Sequence, residues 1–204
     1  MSALLDLAGI APAFPDPTRG SQAVFRKVME AMARPGVIHD LGFAPDAPQG
    51  LDRAAGAIAL TLFDFETKIW LDPALRSGLA EGWMRFHCGA PLTEDPKAAA
   101  FALITDLASS PALTAFNMGD AKYPDRSTTL VVQLPALEGG PQVELTGPGI
   151  KTEMTLSLAG LPDGFWAQVQ ANHEQFQFGV DFIFVAGDRV TALPRSTRVT
   201  IKGD

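Results

Sequence analysis

Cysteine is nearly absent from this sequence: Cys88 stands alone, which excludes an intrachain disulfide and gives no sign of an oxidising compartment. Histidine is scarce too. His39, His87 and His173 stand far apart, with no pair at three- or four-residue spacing and no Cys/His cluster, so no metal site is expected. Cations are in deficit, with 16 Lys and Arg against 23 Asp and Glu and a net charge of -7. That balance excludes a general nucleic-acid binder, which needs a basic face to displace counterions, but leaves room for a local basic pocket. No window reaches the roughly 18 uninterrupted apolar residues of a spanning helix. The opening Met1-Ser2-Ala3-Leu4-Leu5-Asp6 has neither a basic start nor a long apolar run before its first acid, so no export signal is expected. A soluble, cytoplasmic protein with no membrane partner is the expectation. Neither a Gly-x-Ser-x-Gly elbow nor a phosphate loop ending in Gly-Lys-Ser/Thr is present.

What is there suits one domain over 1–204: 204 residues, 47% hydrophobic, with no internal repeat and no linker. Residues 1–17 read as an extended arm, because Pro12, Pro15 and Pro17 exclude a helix, and Phe14 is expected to dock it. Val24, Phe25, Val28, Met29 and Met32 then recur at helical spacing and predict a helix over 18–33, ended by Arg34-Pro35-Gly36. Further helices are expected over 53–63, 73–79 and 163–175, with a shorter helical stretch near 111–116. Strands are expected over 37–41, 67–71, 83–88, 101–104, 128–134, 142–145, 154–158, 180–185, 190–193 and 198–201. Helices and strands alternate in the first half and hairpins dominate the second. That order implies α/β architecture with a mixed sheet flanked by helices.

Chemistry is sparse. Leu145-Thr146-Gly147-Pro148-Gly149-Ile150-Lys151 joins two strand-like runs through two glycines and a proline. Such a turn serves as a plain hairpin connection or, through its amides, as an anion nest. Asp181 sits inside an apolar run, where an unpaired carboxylate is costly, so Arg195 or Arg198 is the expected partner. Two loops, Tyr123-Pro124-Asp125-Arg126-Ser127 and Leu193-Pro194-Arg195-Ser196-Thr197, set arginine beside a hydroxyl. Guanidinium and hydroxyl match an oxyanion, though the same loops serve equally as solvated turns. His87-Cys88, read as adjacent strand residues, face opposite ways, which favours a structural cysteine.

Taken in order, Gln22-Ala23-Val24-Phe25-Arg26, Met29-Glu30-Ala31-Met32-Ala33-Arg34-Pro35-Gly36, Leu60-Thr61-Leu62-Phe63-Asp64, Phe86-His87-Cys88-Gly89-Ala90, Leu145-Thr146-Gly147-Pro148-Gly149-Ile150, Gly179-Val180-Asp181 and Leu193-Pro194-Arg195-Ser196-Thr197 span nearly the whole chain. Together they resemble the H-subunit family of the bacterial carbon–phosphorus lyase core complex. The resemblance implies a fold similar to the large domain of pyridoxal-phosphate-dependent transferases but without the cofactor. The chain's six lysines include none in a Ser-x-x-Lys setting, which agrees with that expectation. It also implies a homodimer and partnership with the G, I and J subunits. The assembly it implies is a transferase that replaces the adenine of ATP with an alkylphosphonate. The iron–sulfur radical step belongs to the J subunit, and one cysteine here cannot hold such a cluster.

On that resemblance the expected function is an accessory subunit, with no catalytic residue assigned. Gly147, Pro148, Gly149, Asp181, Arg195, Ser196 and Arg126 are the candidates for ligand or interface contact. The alternative is a self-sufficient phosphonate- or nucleotide-binding transferase built on the Gly147–Gly149 turn and Arg195. A third possibility, a cryptic pyridoxal-phosphate enzyme, predicts a yellow protein.

Overall fold

Asp16 sets the start of the first helix: its carboxylate accepts the Arg19 backbone N–H at 3.1 Å, and Pro17 follows where a missing donor costs nothing. The helix, α1 (Pro17–Ala33), buries Gly20, Val24, Val28 and Ala31 along one face. The computed structural model describes residues 12–42, 44–76 and 78–202. Residues 1–11 of the expected arm, together with Phe43, Ser77 and 203–204, lie outside the described residues. Phe14 docks as expected: it is buried, with its ring packed over the Cα of Gly20.

After α1 come β1 (His39–Asp40), α2 (Arg53–Leu62), β2 (Ile69–Leu71), α3 (Leu79–His87), β3 (Leu92–Thr93), β4 (Phe101–Ile104) and β5 (Thr129–Gln133). The second half adds β6 (Val143–Thr146), β7 (Met154–Leu156), α4 (Phe165–Glu174), β8 (Asp181–Ala186), β9 (Arg189–Leu193) and β10 (Arg198–Ile201). One sheet of seven strands runs in the order β1-β9-β8-β5-β4-β2-β3. Strands β8, β5, β4, β2 and β3 are mutually parallel, while β9 turns back on β8 through Gly187-Asp188 and pairs antiparallel with both β8 and β1. The remaining strands form a small antiparallel sheet, β10-β6-β7.

The large sheet is buried on both faces, which is why its central strands are apolar throughout: Leu130, Val131 and Val132 of β5 are all fully covered. Alternation sends Leu103, Val131, Ile183 and Val185 to the face covered by α1, α2 and α3. The opposite face presents Leu130, Val132, Phe182 and Phe184 to α4, the small sheet and the irregular 105–128 segment. Phe182 and Phe184 stack with centroids 5.5 Å apart, and Phe165 of α4 meets both edge-on.

Two local expectations are overturned. Residues 83–88 are not a strand; they complete α3 and its C-cap at Cys88. The alternating bulk of Trp83-Met84-Arg85-Phe86 mimics a strand. What decides the matter is the burial of Ala80, Trp83 and Met84 at three- and four-residue spacing against the core. Glu81 in the first turn, Arg85 and His87 in the last, and an Arg85–Glu81 ion pair of 3.0 Å add helical support. Residues 73–76 form turns rather than the expected helix over 73–79, whose last residue instead begins α3.

Candidate functional site

The Gly-Pro-Gly stretch forms a tight turn in which the Ile150 N–H donates to Gly147 O at 3.1 Å. Pro148 fills the first central position and Gly149, with φ +83°, the second, which is the signature of a type II turn. The turn's outer side is exposed, but its inner side is pressed on the end of α1. A Cβ on Gly149 would stand 2.0 Å from Ala33 O, and one on Gly147 would stand 3.1 Å from Ser196 O. Gly36 fits as closely under Leu145 and Met154, at 2.9 and 2.7 Å from its ideal Cβ position. Glycine is therefore required here for contact between backbones as well as for φ.

Asp181, the first residue of β8, is four-fifths buried, and its partner is Arg195 rather than Arg198. One carboxylate oxygen accepts the Arg195 backbone N–H at 2.7 Å, and the other lies 3.4 Å from Nη1 of the same residue. That nitrogen also donates to Gly179 O at 2.9 Å and to the Ser127 hydroxyl. Burial raises the Asp181 pKa above its ordinary value, and the backbone bond and charge of Arg195 hold part of the rise back. The peptide oxygen of Arg195 is held in turn by the His173 ring, Nδ1 donating at 2.9 Å.

These contacts bring four separated stretches to one place at the amino ends of the parallel strands: 33–36, 145–150, 179–181 and 193–197. Between them lies an open depression of about 440 Å³, to which Met32, Pro148, Gly149, Asp181, Arg195 and Ser196 contribute. Gly147 stands behind its rim against Ser196. Arg126 does not join them. Its guanidinium lies 3.9 Å over the Tyr123 ring and lines a neighbouring depression with Asn117 and Ser127. Ser127 links the two arginine loops by accepting from Arg195.

Sequence reasoning set Ser127 beside Arg126 rather than Arg195, and missed His173 and Asn172 as parts of this junction. Asn172 is buried on α4, and its amide both accepts from Val180 N–H and donates to Val180 O, at 2.9 and 3.0 Å, fixing the chain just before Asp181. A lone Asn or His on a helix offers no spacing signal, so none was available for these two. His87 and Cys88 lie elsewhere, at the end of α3, with the His87 ring 5.0 Å from Trp83. Burial pushes the Cys88 thiol up to about 11.

Comparison with known proteins places the chain. A family model described as bacterial phosphonate metabolism protein (PhnH) matches residues 12–200. A protein of Rhizobium meliloti (strain 1021), named as the PhnH subunit of alpha-D-ribose 1-methylphosphonate 5-triphosphate synthase, is 43% identical over 187 residues, covering 92% of this chain and 94% of its own. A putative C-P lyase subunit protein, HtxG of Stutzerimonas stutzeri, is 31% identical over 185 residues, covering 89% of this chain and 87% of its own. The match spans all four stretches that meet around the Gly-Pro-Gly turn as well as both cores, and by it the chain belongs to the PhnH family of bacterial phosphonate metabolism proteins.

Proposed function

We propose that this protein is an accessory subunit of a carbon–phosphorus lyase core complex. In this reading it serves the step that exchanges the adenine of ATP for an alkylphosphonate, giving a ribose 1-alkylphosphonate 5-triphosphate. The observation that carries the reading is the 43% identity, along nearly the whole chain, with a protein named as a subunit of the corresponding synthase. A homodimer that joins the G, I and J subunits, in the cytoplasm, belongs to the same proposal. So does kinship with the large domain of pyridoxal-phosphate-dependent transferases, which the mixed sheet with β9 and β1 beyond its parallel strands supports.

Exposed apolar side chains give the proposal a place on the molecule. Phe25 and Met29, one turn apart on α1, are 46% and 54% exposed, and Phe176, 61% exposed, shares the depression at the junction with Met32. Large apolar groups left in water this way mark a surface that another chain covers. Arg19 and Lys27 of this helix are paired with Asp16 and Glu30, so the contact proposed here with another subunit rests on the apolar side chains rather than on charge. Co-purification with the I subunit tests this: the wild-type chain is expected to associate at micromolar concentration, and Met29→Glu to weaken that association at least about tenfold. Absence of any wild-type association would sink the proposal. The rival reading, a self-sufficient transferase acting through the Gly147–Gly149 turn and Arg195, requires heat on titrating the isolated chain with ATP and methylphosphonate.

A further inference from the structure

In an open α/β sheet, ligands settle outside the carboxyl ends of the strands, where neighbouring strands send their connections to opposite faces. This sheet has such a point between β2 and β4. From β2 the chain crosses to β3 through α3, whose Ala80, Trp83 and Met84 lie in the core under α1 and α2. From β4 it crosses the other way to β5, and Leu113 and Phe116 of that connection lie in the opposite core. The two strand ends are pinned by Asp72. This buried carboxylate accepts from the Thr105 N–H and hydroxyl, both at 2.6 Å, from the Asp106 N–H at 3.2 Å and from the Leu75 N–H at 3.1 Å.

A crevice of about 310 Å³ opens one strand away from this point, at the carboxyl ends of β2 and β3 under α3, reaching from Leu71 and Arg76 to Thr93 and Glu94. Arg76 is oriented in advance. Its Nε donates to Leu71 O at 2.8 Å and its guanidinium lies 5.3 Å over the Trp70 ring, which directs the binding role to the two Nη groups. Arg85 and Glu81, also on the wall, neutralise each other at 3.0 Å. Among the described residues that line the crevice, the charges outside that pair are one cation, Arg76, and one anion, Glu94. The volume lies at the lower limit for small-molecule sites.

We infer that this crevice binds a small zwitterion, its oxyanion on the Arg76 guanidinium and its ammonium on Glu94. The chemistry is shared by ω-aminoalkyl phosphonates and ω-amino carboxylates. The inference stands on the crevice alone, independently of any subunit assembly.

Calorimetric titration of the full-length protein with 2-aminoethylphosphonate and with β-alanine tests it. Saturable one-site binding of at least one is expected, at least about tenfold tighter than methylphosphonate or ethylamine, each of which lacks one charge. The stronger of the two identifies the oxyanion, and β-alanine binding stands even if the phosphonate reading fails. Arg76→Gln and Glu94→Gln should each lower affinity at least about tenfold with the circular dichroism spectrum unchanged, while Arg189→Gln, in a surface pair with Glu138, should leave it unaltered. No saturable binding of either zwitterion, methylphosphonate binding as tightly as 2-aminoethylphosphonate, or undiminished binding by Arg76→Gln would each overturn the inference.

Discussion

At the amino edge of the large sheet, Asp181, Arg195 and Ser127 close on one another, and the Gly-Pro-Gly turn is pressed on the end of α1. At the carboxyl edge, Arg76 and Glu94 face an open crevice, and the buried Asp72 pins the strand ends beneath. Both edges carry arginine and carboxylate, yet one pair is spent on holding the chain and the other is left toward solvent. Four of the stretches that resemble the H-subunit family meet at the amino edge. Residues that carry a family resemblance therefore serve close backbone packing here as readily as chemistry.

The comparison can be broken most forcefully at Gly149. Gly149→Val adds a side chain where the Cβ alone would stand 2.0 Å from Ala33 O, at φ +83°. A loss of about 3 kcal/mol is expected from overpacking and left-handed strain together, read as a fall in Tm of roughly 6–12 °C. A fall of under 2 °C would mean that the turn is not a packing element.

Next is Arg195→Met, which strands a largely buried carboxylate and should cost about 2 kcal/mol near neutral pH. The sign of its pH dependence follows from Asp181, whose folded pKa is already raised by burial. A raised acid holds its proton more tightly in the folded state, so its contribution to stability is greatest below the unfolded value and declines as pH climbs through the folded one. Removing Arg195 raises Asp181 further. Urea melts should therefore show the variant closest to wild type near pH 4 and falling away toward pH 7. A constant gap across that range would contradict the pairing.

At the other edge, Arg76→Gln removes a ring contact and one hydrogen bond from a partly buried residue. About 1 kcal/mol, or roughly 2–4 °C in Tm, is the expected cost, smaller than either change above. Thermal melts that rank it above Arg195→Met would reverse the contrast between the edges. The smallest effect on stability belongs to Cys88, for which the readout is chemical. With its thiol raised to about 11, it should react with a disulfide reagent at pH 8 at least about tenfold more slowly than an exposed cysteine.

Much of this was legible beforehand. The α1 periodicity, the apolar β5, the hairpin of β8 and β9 and the Gly-Pro-Gly turn each rest on signals within a few residues, and Asp181 announced its need for a cation by lying in an apolar strand. The α3 segment was misread because Trp83, Phe86 and His87 suit a strand as well as a helix. Only the packing of Ala80, Trp83 and Met84 on the core distinguishes the two. The carboxyl-edge crevice left no trace, since Arg76 and Glu94 are ordinary surface charges until the β2–α3–β3 crossover brings them to one crevice.

The sequence by itself determined the local conformations and the family, because turn chemistry, helix capping and apolar periodicity are short-range and survive in one dimension. Tertiary structure alone decided that Arg195, not Arg198, closes on Asp181. It alone decided that Gly149 serves the end of α1, and that the open charges lie at the opposite edge of the sheet. Those outcomes depend on strand order and crossover direction, which set Gly149 against Ala33 and bring the ends of separate elements together, and are written in no single stretch of the chain.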